Sequence, residues 1–185
     1  MVDIDDALSV FQNKARRDIL ERLVREPHYP LQIANQIGIS QQAVMKHLNF
    51  LEKKGFVVKM RVASNKGGPP KNIYSVQESI SIRIDLGPDL FQCSQRSLPS
   101  GGPLKLTARL PNEVNGIAEM VSGRKRISVG EGAFHLSKIT ESIEKLDRER
   151  DALVSLHQQI KQRVSTTVDS DFESYEQRLM IHNIL

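Results

Sequence analysis

With 185 residues, 39% of them hydrophobic, the chain is long enough for one medium domain, or for a small domain with an oligomerisation segment attached. It has no Trp and few aromatic residues, which argues against a large aromatic ligand pocket. A single cysteine, Cys93, excludes an intramolecular disulfide and a Cys-rich metal site; no metal or other cofactor is expected. The start, Met1-Val2-Asp3-Ile4-Asp5-Asp6, is acidic and has no apolar run, unlike a signal peptide, and no stretch approaches the length of a membrane span. A cytoplasmic protein with no membrane partner is expected.

The net charge of +4 is unevenly spread. Residues 1–76 hold 12 Lys/Arg against 7 Asp/Glu, whereas the remainder holds 14 against 15. Between Ser40 and Lys71 stand seven cations (Lys46, Lys53, Lys54, Lys59, Arg61, Lys66, Lys71) and one acid, Glu52. Such a local excess suits a polyanion, because each neutralised phosphate releases condensed counterions. A solvated basic surface without a partner has the same composition, so the elements must decide.

Taken in chain order, Asp5 to Phe11 places Ala7, Leu8 and Phe11 at helical spacing. Asn13 can cap a second helix that turns Ala15, Ile19, Leu20, Leu23 and Val24 inward. Arg16 and Arg17 fall in its first turn, where cations oppose the helix dipole; a nearby phosphate would relieve this, and a plain exposed pair is equally compatible. Pro27 and Pro30 stop that helix. Leu31, Ile33, Ala34 and Ile37 make a third, ending at Gly38, a residue suited to a left-handed C-cap.

A few residues later Ser40 is a good N-cap, and Val44, Leu48 and Leu51 follow at i, i+4, i+7 on one apolar stripe. The opposite face carries Gln41, Gln42, Met45, Lys46 and Asn49. Amides there can pair with adenine, and a lysine can reach guanine or phosphate. Two helices joined by a tight Gly-containing turn, the second polar outside, describe a helix-turn-helix.

Gly55 ends the fourth helix. Phe56 to Val62 reads as a strand, Asn65 to Pro70 as a Gly/Pro turn, and Lys71 to Val76 as the returning strand. This lysine-flanked hairpin directly after a helix-turn-helix is a wing. Arg61, Lys66 and Lys71, with Arg16 and Arg17, are the candidate phosphate contacts; His47 could touch a phosphate when protonated or pack as a neutral imidazole.

The run from Ala7 to Val76 resembles the winged helix-turn-helix of ArsR-type transcriptional regulators. The resemblance rests on Asn13-Lys14-Ala15-Arg16-Arg17-Asp18-Ile19-Leu20, on Gly38-Ile39-Ser40-Gln41-Gln42-Ala43-Val44 with Lys46-His47-Leu48, and on Leu51-Glu52-Lys53-Lys54-Gly55-Phe56-Val57. The wing Gly67-Gly68-Pro69-Pro70-Lys71-Asn72-Ile73-Tyr74 completes it. The stretch Ile80 to Phe91 is similar to the strand after the wing in an archaeal branch whose best-known members repress heat-shock genes. The resemblance implies a homodimer that binds double-stranded DNA through the winged domain, dimerises partly through C-terminal helices and represses transcription. Metal-sensing members carry paired cysteines on the helix before the reading helix. Here Leu31-Gln32-Ile33-Ala34-Asn35-Gln36-Ile37 has no thiol, so Cys-based metal sensing is unsupported, and no effector is indicated.

Beyond the wing, Ser79 to Leu86 alternates strictly, with Ile80, Ile82, Ile84 and Leu86 on one side, as a half-buried strand does. Gly87 to Pro103 is rich in Gly, Pro and Ser and reads as a loop or hinge. Leu104 to Leu110 alternates like a strand, and Pro111 to Ser122 suits a short helix using Val114, Ile117, Ala118 and Val121. Arg124-Lys125-Arg126 is a basic triplet, read first as a solvated charge run and second as a phosphate contact.

From Phe134 to about Val164, Leu136, Ile139, Ile143, Leu146, Leu153, Ile160 and Val164 follow steps of three and four, as a dimerisation seam requires. Arg150 and His157 occupy a-type positions, Leu156 suggests a second frame, and Glu141–Lys145 and Glu144–Arg148 are at i, i+4 spacing. A helix this long, roughly 45 Å, exceeds the width of a small winged domain, which favours a partner chain over packing on its own domain. Asp169 to Ile184 reads as a last amphipathic helix with Phe172, Tyr175, Leu179 and Ile184 inward.

The fold class expected is therefore α+β, mainly α: a winged helix-turn-helix over 1–78, a small mixed region over 79–132, and C-terminal dimerisation helices over 133–185. The function expected is a dimeric DNA-binding repressor at a near-palindromic site. The alternative is a winged-helix protein-interaction module in an assembly. An enzyme using Cys93 with one of His28, His47, His135, His157 or His182 is set aside, because no nucleophile motif surrounds the thiol.

Overall fold

The computed structural model describes residues 3–63, 70–88, 90–98, 109–123, 126–171 and 174–182. The expected turn at the wing tip, with Lys66, lies outside the described residues, as do most of the expected strand from Leu104, Arg124 and Lys125 of the basic triplet, and Phe172. The fold is α+β and mainly helical, and the chain forms two compact units: residues 1–84 with 93–100, and 85–92 with 101–185.

The first unit opens with α1 (Ile4–Phe11), whose N-cap Asp3 accepts from the Ile4 amide, and α2 (Lys14–Leu23), where Asn13 Oδ1 accepts from the Arg16 amide at 3.2 Å. α3 (Pro30–Ile37) starts with Pro30, which has no amide to leave unpaired and a φ already suited to a helix. It ends at Gly38, whose φ of 72° lets the chain turn within two residues. α4 (Gln41–Lys53) is capped by Ser40, its Oγ accepting from the Ala43 amide at 3.2 Å, and is closed by Gly55 at φ 79°.

Ala7, Val10, Ile19, Leu20, Leu23, Ile33, Val44, Leu48, Leu51, Phe56, Val57 and Tyr74 make one core. Each leucine or isoleucine fully buried there contributes about 1.5–3 kcal/mol of apolar transfer. Phe11 meets Phe56 edge to face at 5.6 Å between ring centres, and the Lys54 ammonium pairs with Asp6, tying the end of α4 to α1. Not every apolar residue of the expected stripes faces inward. Val24 is the C-cap of α2 and is 65% exposed, since the helix ends before it can complete the stripe. In α1 the buried residues are Ala7 and Val10, while Leu8 is exposed.

β1 (Val57–Val62) and β2 (Lys71–Val76) form the antiparallel wing, with Val57 opposite Val76 and Val62 opposite Lys71. His28 joins it as a third, one-residue rung. Its amide donates to Tyr74 O and its carbonyl accepts from the Tyr74 amide, both at 3.0 Å. The wing is thereby fastened to the α2–α3 connection and, through buried Tyr74, to the core.

β3 (Ile80–Gly87) pairs with β4 (Leu90–Ser97) in a second two-stranded sheet, closed at its base where the Leu98 amide donates to Ser79 O at 2.7 Å. The Gly87–Pro103 stretch, expected as a loop or hinge, thus contains a strand. The Gly, Pro and Ser that give the stretch its loop composition cluster at its two ends, Gly87-Pro88 and Pro99 to Pro103, and Phe91-Gln92-Cys93-Ser94-Gln95 between them lacks the β-branched residues that mark a strand. Ile80 and Ile82 pack on the first unit's core, but burial fades along β3 until Leu86 is 79% exposed.

The second unit contains α5 (Asn112–Ser122), α6 (Val129–Asp171) and α7 (Tyr175–His182). Val114, Ile117 and Ala118 of α5 are buried as expected, while Val121 is exposed. α6 runs for 43 residues, roughly 65 Å at 1.5 Å per residue. It begins earlier and ends later than the apolar steps indicated. At its start Ser128 and Glu131 form a reciprocal capping box: Ser128 N and Oγ donate to Glu131 Oε2, and the Glu131 amide donates to Ser128 Oγ. α7 correspondingly starts at Tyr175 rather than Asp169.

Candidate nucleic-acid interface

α4 is held rigidly from beneath. Val44, Leu48 and Leu51 are fully buried, so the facing side chains are committed outward by the 3.6-residue period. Gln41, Gln42, Lys46 and Asn49 are exposed and Met45 is half-buried. No acid lies among these five, and Glu52, the one acid of α4, falls in its last turn.

The wing adds to the same surface. Arg61 lies opposite Asn72, and opposed residues of an antiparallel pair share a face. Asn72 and Lys71 in turn line a groove of about 520 Å³ together with Gln41 and Met45 of α4 and Tyr29, Pro30, Leu31 and Gln32 at the start of α3. The structure therefore brings Gln41, Met45 and Lys71 together. It also adds residues that sequence reasoning had not placed there, Leu31 above all. Leu31 is 55% exposed. The signal was present: at 100° per residue, Leu31 falls on the side of α3 away from Ile33 and Ile37.

Arg16 has different partners from those expected. Its Nε donates to Val10 O at 3.0 Å, an Nη donates to Ser9 O at 2.6 Å, and the guanidinium lies 4.4 Å from the centre of the Phe50 ring. Arg17 donates to Phe11 O. Both arginines sit at the C-terminal end of α1, where unpaired carbonyls and the negative end of the helix dipole attract a cation. The apparent dipole conflict at the start of α2 is thus resolved by the preceding helix. Arg16→Met should cost about 1.5–3 kcal/mol in urea unfolding, the range for charged hydrogen bonds, even with no DNA present. An unchanged midpoint would return Arg16 to the surface residues.

Burial, and then the charges of Arg16 and Lys46, hold the His47 imidazole below its usual range. A lowered pKa favours the neutral ring, which fits packing better than phosphate attraction.

The residues expected at a seam on α6 divide into two groups. Ile139, Ile143 and Leu146, with Ser142, line an apolar cleft of about 320 Å³ against Val114, Ile117, Ala118 and Val121 of α5. Leu153 and Ile160 are 66% and 55% exposed, and Leu156 and Leu136 are exposed too. Arg150, placed on the seam by its heptad position, instead pairs with Asp85 at the end of β3, an interaction that raises the guanidinium pKa further. Lys145 pairs with Glu113 of α5 at 3.2 Å rather than with Glu141, whereas Glu144 and Arg148 do meet, at 4.0 Å.

Among the described residues no group of three His, Cys, Asp or Glu is placed to hold a metal, and no helix is long and apolar enough to cross a membrane. Cys93 is exposed.

Four helices, a tight turn before an outward polar helix, and a two-stranded wing define a winged helix-turn-helix. Consistent with this, residues 12–59 match the family model described as a helix-turn-helix domain. Among solved structures, the chain is similar to NolR from Sinorhizobium fredii, at 32% identity over 39% of this chain and 66% of that one, with a TM-score of 0.34. It is also similar to reduced HlyU from Vibrio cholerae N16961, at 22% identity over 39% of this chain and 70% of that one, with the same TM-score of 0.34. The NolR match thus leaves about a third of that chain uncovered. Comparison with curated proteins gives no match.

Proposed function

We propose that the protein is a sequence-specific DNA-binding transcriptional regulator, acting as a dimeric repressor that occludes a promoter at a near-palindromic site. The observation that carries this reading is the outward face of α4: Gln41, Gln42, Lys46 and Asn49 stand exposed on a fully buried apolar stripe, with no acid among them. A rigid helix with amide and ammonium donors suits the major groove, where each base pair shows a distinct donor and acceptor pattern. Arg61 and Lys71 on the wing hold the flanking backbone, with Lys66 and, beside α1, Arg17 as further phosphate contacts.

A second copy follows from the size of the target, since one helix reads only a few base pairs. The exposed apolar positions Leu153, Leu156 and Ile160 of α6 supply its docking line, in the frame that includes Leu156. Arg150 turns toward Asp85 and stays out of that line.

The test is binding of the full chain to duplex DNA as salt is raised. Affinity should fall steeply, by about tenfold or more between 50 and 200 mM salt, as counterion release requires. No binding to duplex even at 50 mM salt would overturn this reading in favour of a protein-docking module. Within the site, Lys46→Ala should weaken binding to a selected sequence more than to random duplex, by about 1–3 kcal/mol of discrimination. Lys71→Ala should weaken both alike. Equal losses on both duplexes for Lys46→Ala would remove it from the base-reading set.

A further inference from the structure

The groove between the start of α3, α4 and β2 has a composition that the helix-turn-helix framework does not demand. Leu31 and Met45 present apolar surface at the same place as Gln41, and Lys71 supplies a cation, with no acid in the lining. The half-exposed Leu31 is not a core residue: the buried side of α3 is made by Pro30, Ile33 and Ala34. An apolar side chain held at the rim of a cationic surface, beside an amide that can pair with adenine, matches one feature of a duplex in particular. That feature is the C5 methyl of thymine, the one apolar group exposed on the base edges of the major groove.

We propose that Leu31 and Met45 form a seat for a thymine methyl, so that the element after Tyr29 takes part in sequence reading alongside α4. This rests on the DNA-reading proposal for α4 and specifies its content. Each half-site should contain a thymine whose methyl enters the groove, with an adenine within reach of Gln41. Leu31 is then a specificity-determining residue contributed by the helix before the reading helix.

The experiment starts from a pool of random-sequence duplexes from which the full-length protein selects its preferred sequences. Selected duplexes are rebuilt with deoxyuridine replacing thymidine at one position at a time, which removes the methyl and leaves base pairing intact. At one position in each half-site the replacement should weaken binding about fourfold, the value of one buried methyl group. With Leu31→Ala or Met45→Ala protein, the thymidine and deoxyuridine duplexes should bind nearly alike at that position, while the other positions keep their preferences. Because Leu31 is exposed, its truncation leaves the core intact, and Met45→Ala provides an independent second variant.

Indifference to deoxyuridine at every position, with selected sequences still preferred, would overturn the methyl seat and leave α4 as the reader. Methyl sensitivity that persists unchanged in both variants would place the seat elsewhere and overturn it as well. A pool that yields no enriched sequence would overturn base reading by α4 and this inference together.

Discussion

Replacing both Leu153 and Ile160 by Asp is expected to yield a folded monomer whose affinity for a two-fold duplex falls by about a hundredfold or more. Both side chains are more than half exposed in the single chain, so charges there should cost little in folding. In a dimer the same positions would be buried, and unpaired carboxylates cannot be accommodated against a facing apolar stripe. Loss of the second copy removes the effective-concentration advantage of two linked readers, commonly a factor of 10²–10⁴. Sedimentation gives the mass and fluorescence anisotropy the affinity. A variant that keeps the mass of a dimer would show that the copies join elsewhere, and a wild-type chain that sediments as a monomer would remove the dimer altogether.

Leu48→Ala should produce the largest loss of stability, roughly 2–5 kcal/mol, the range for truncating a buried leucine that leaves a cavity. Leu48 is fully buried beneath α4, in a core that includes Val44 and Leu51 of the same helix and Ile19 and Ile33 of its neighbours. The urea midpoint followed by circular dichroism is the readout, since the chain has no Trp. Leu31→Ala, an equal truncation at an exposed position of α3, should move it by about 0.5 kcal/mol or less. Equal shifts for the two would contradict the core described here.

How far the sequence discloses this fold depends on whether a signal is local. Ser40 with Val44, Leu48 and Leu51 marks α4 because a cap and a 3.6-residue stripe are properties of neighbouring residues, and the structure adds only the 3.2 Å hydrogen bond that closes the cap. The wing strands are equally legible, since Val57 to Val62 and Ile73 to Val76 flank a Gly/Pro turn signal.

Features set by distant partners are not legible. In the sequence Arg16 reads as a phosphate contact or a plain exposed cation, because its acceptors, the carbonyls of Ser9 and Val10, belong to the end of another helix. Arg150 fitted a heptad position, but Asp85, sixty-five residues earlier, decides its direction. β4 gave no strand pattern because a polar strand is specified by its pairing with β3 rather than by its own composition. For the candidate site, the α4 side chains were readable from periodicity. The groove that joins them to Leu31 and Lys71 required the packing of α3 and β2 around them.

The measurement that tests the central claim most directly is a hydroxyl-radical footprint of the full chain on a selected duplex. Two copies, each inserting α4 into a major groove, predict two symmetric protected patches whose centres lie about one helical turn apart, roughly ten base pairs. Both should vanish together when Leu153 and Ile160 are replaced by Asp. A single protected patch that is unchanged in that variant would contradict the account.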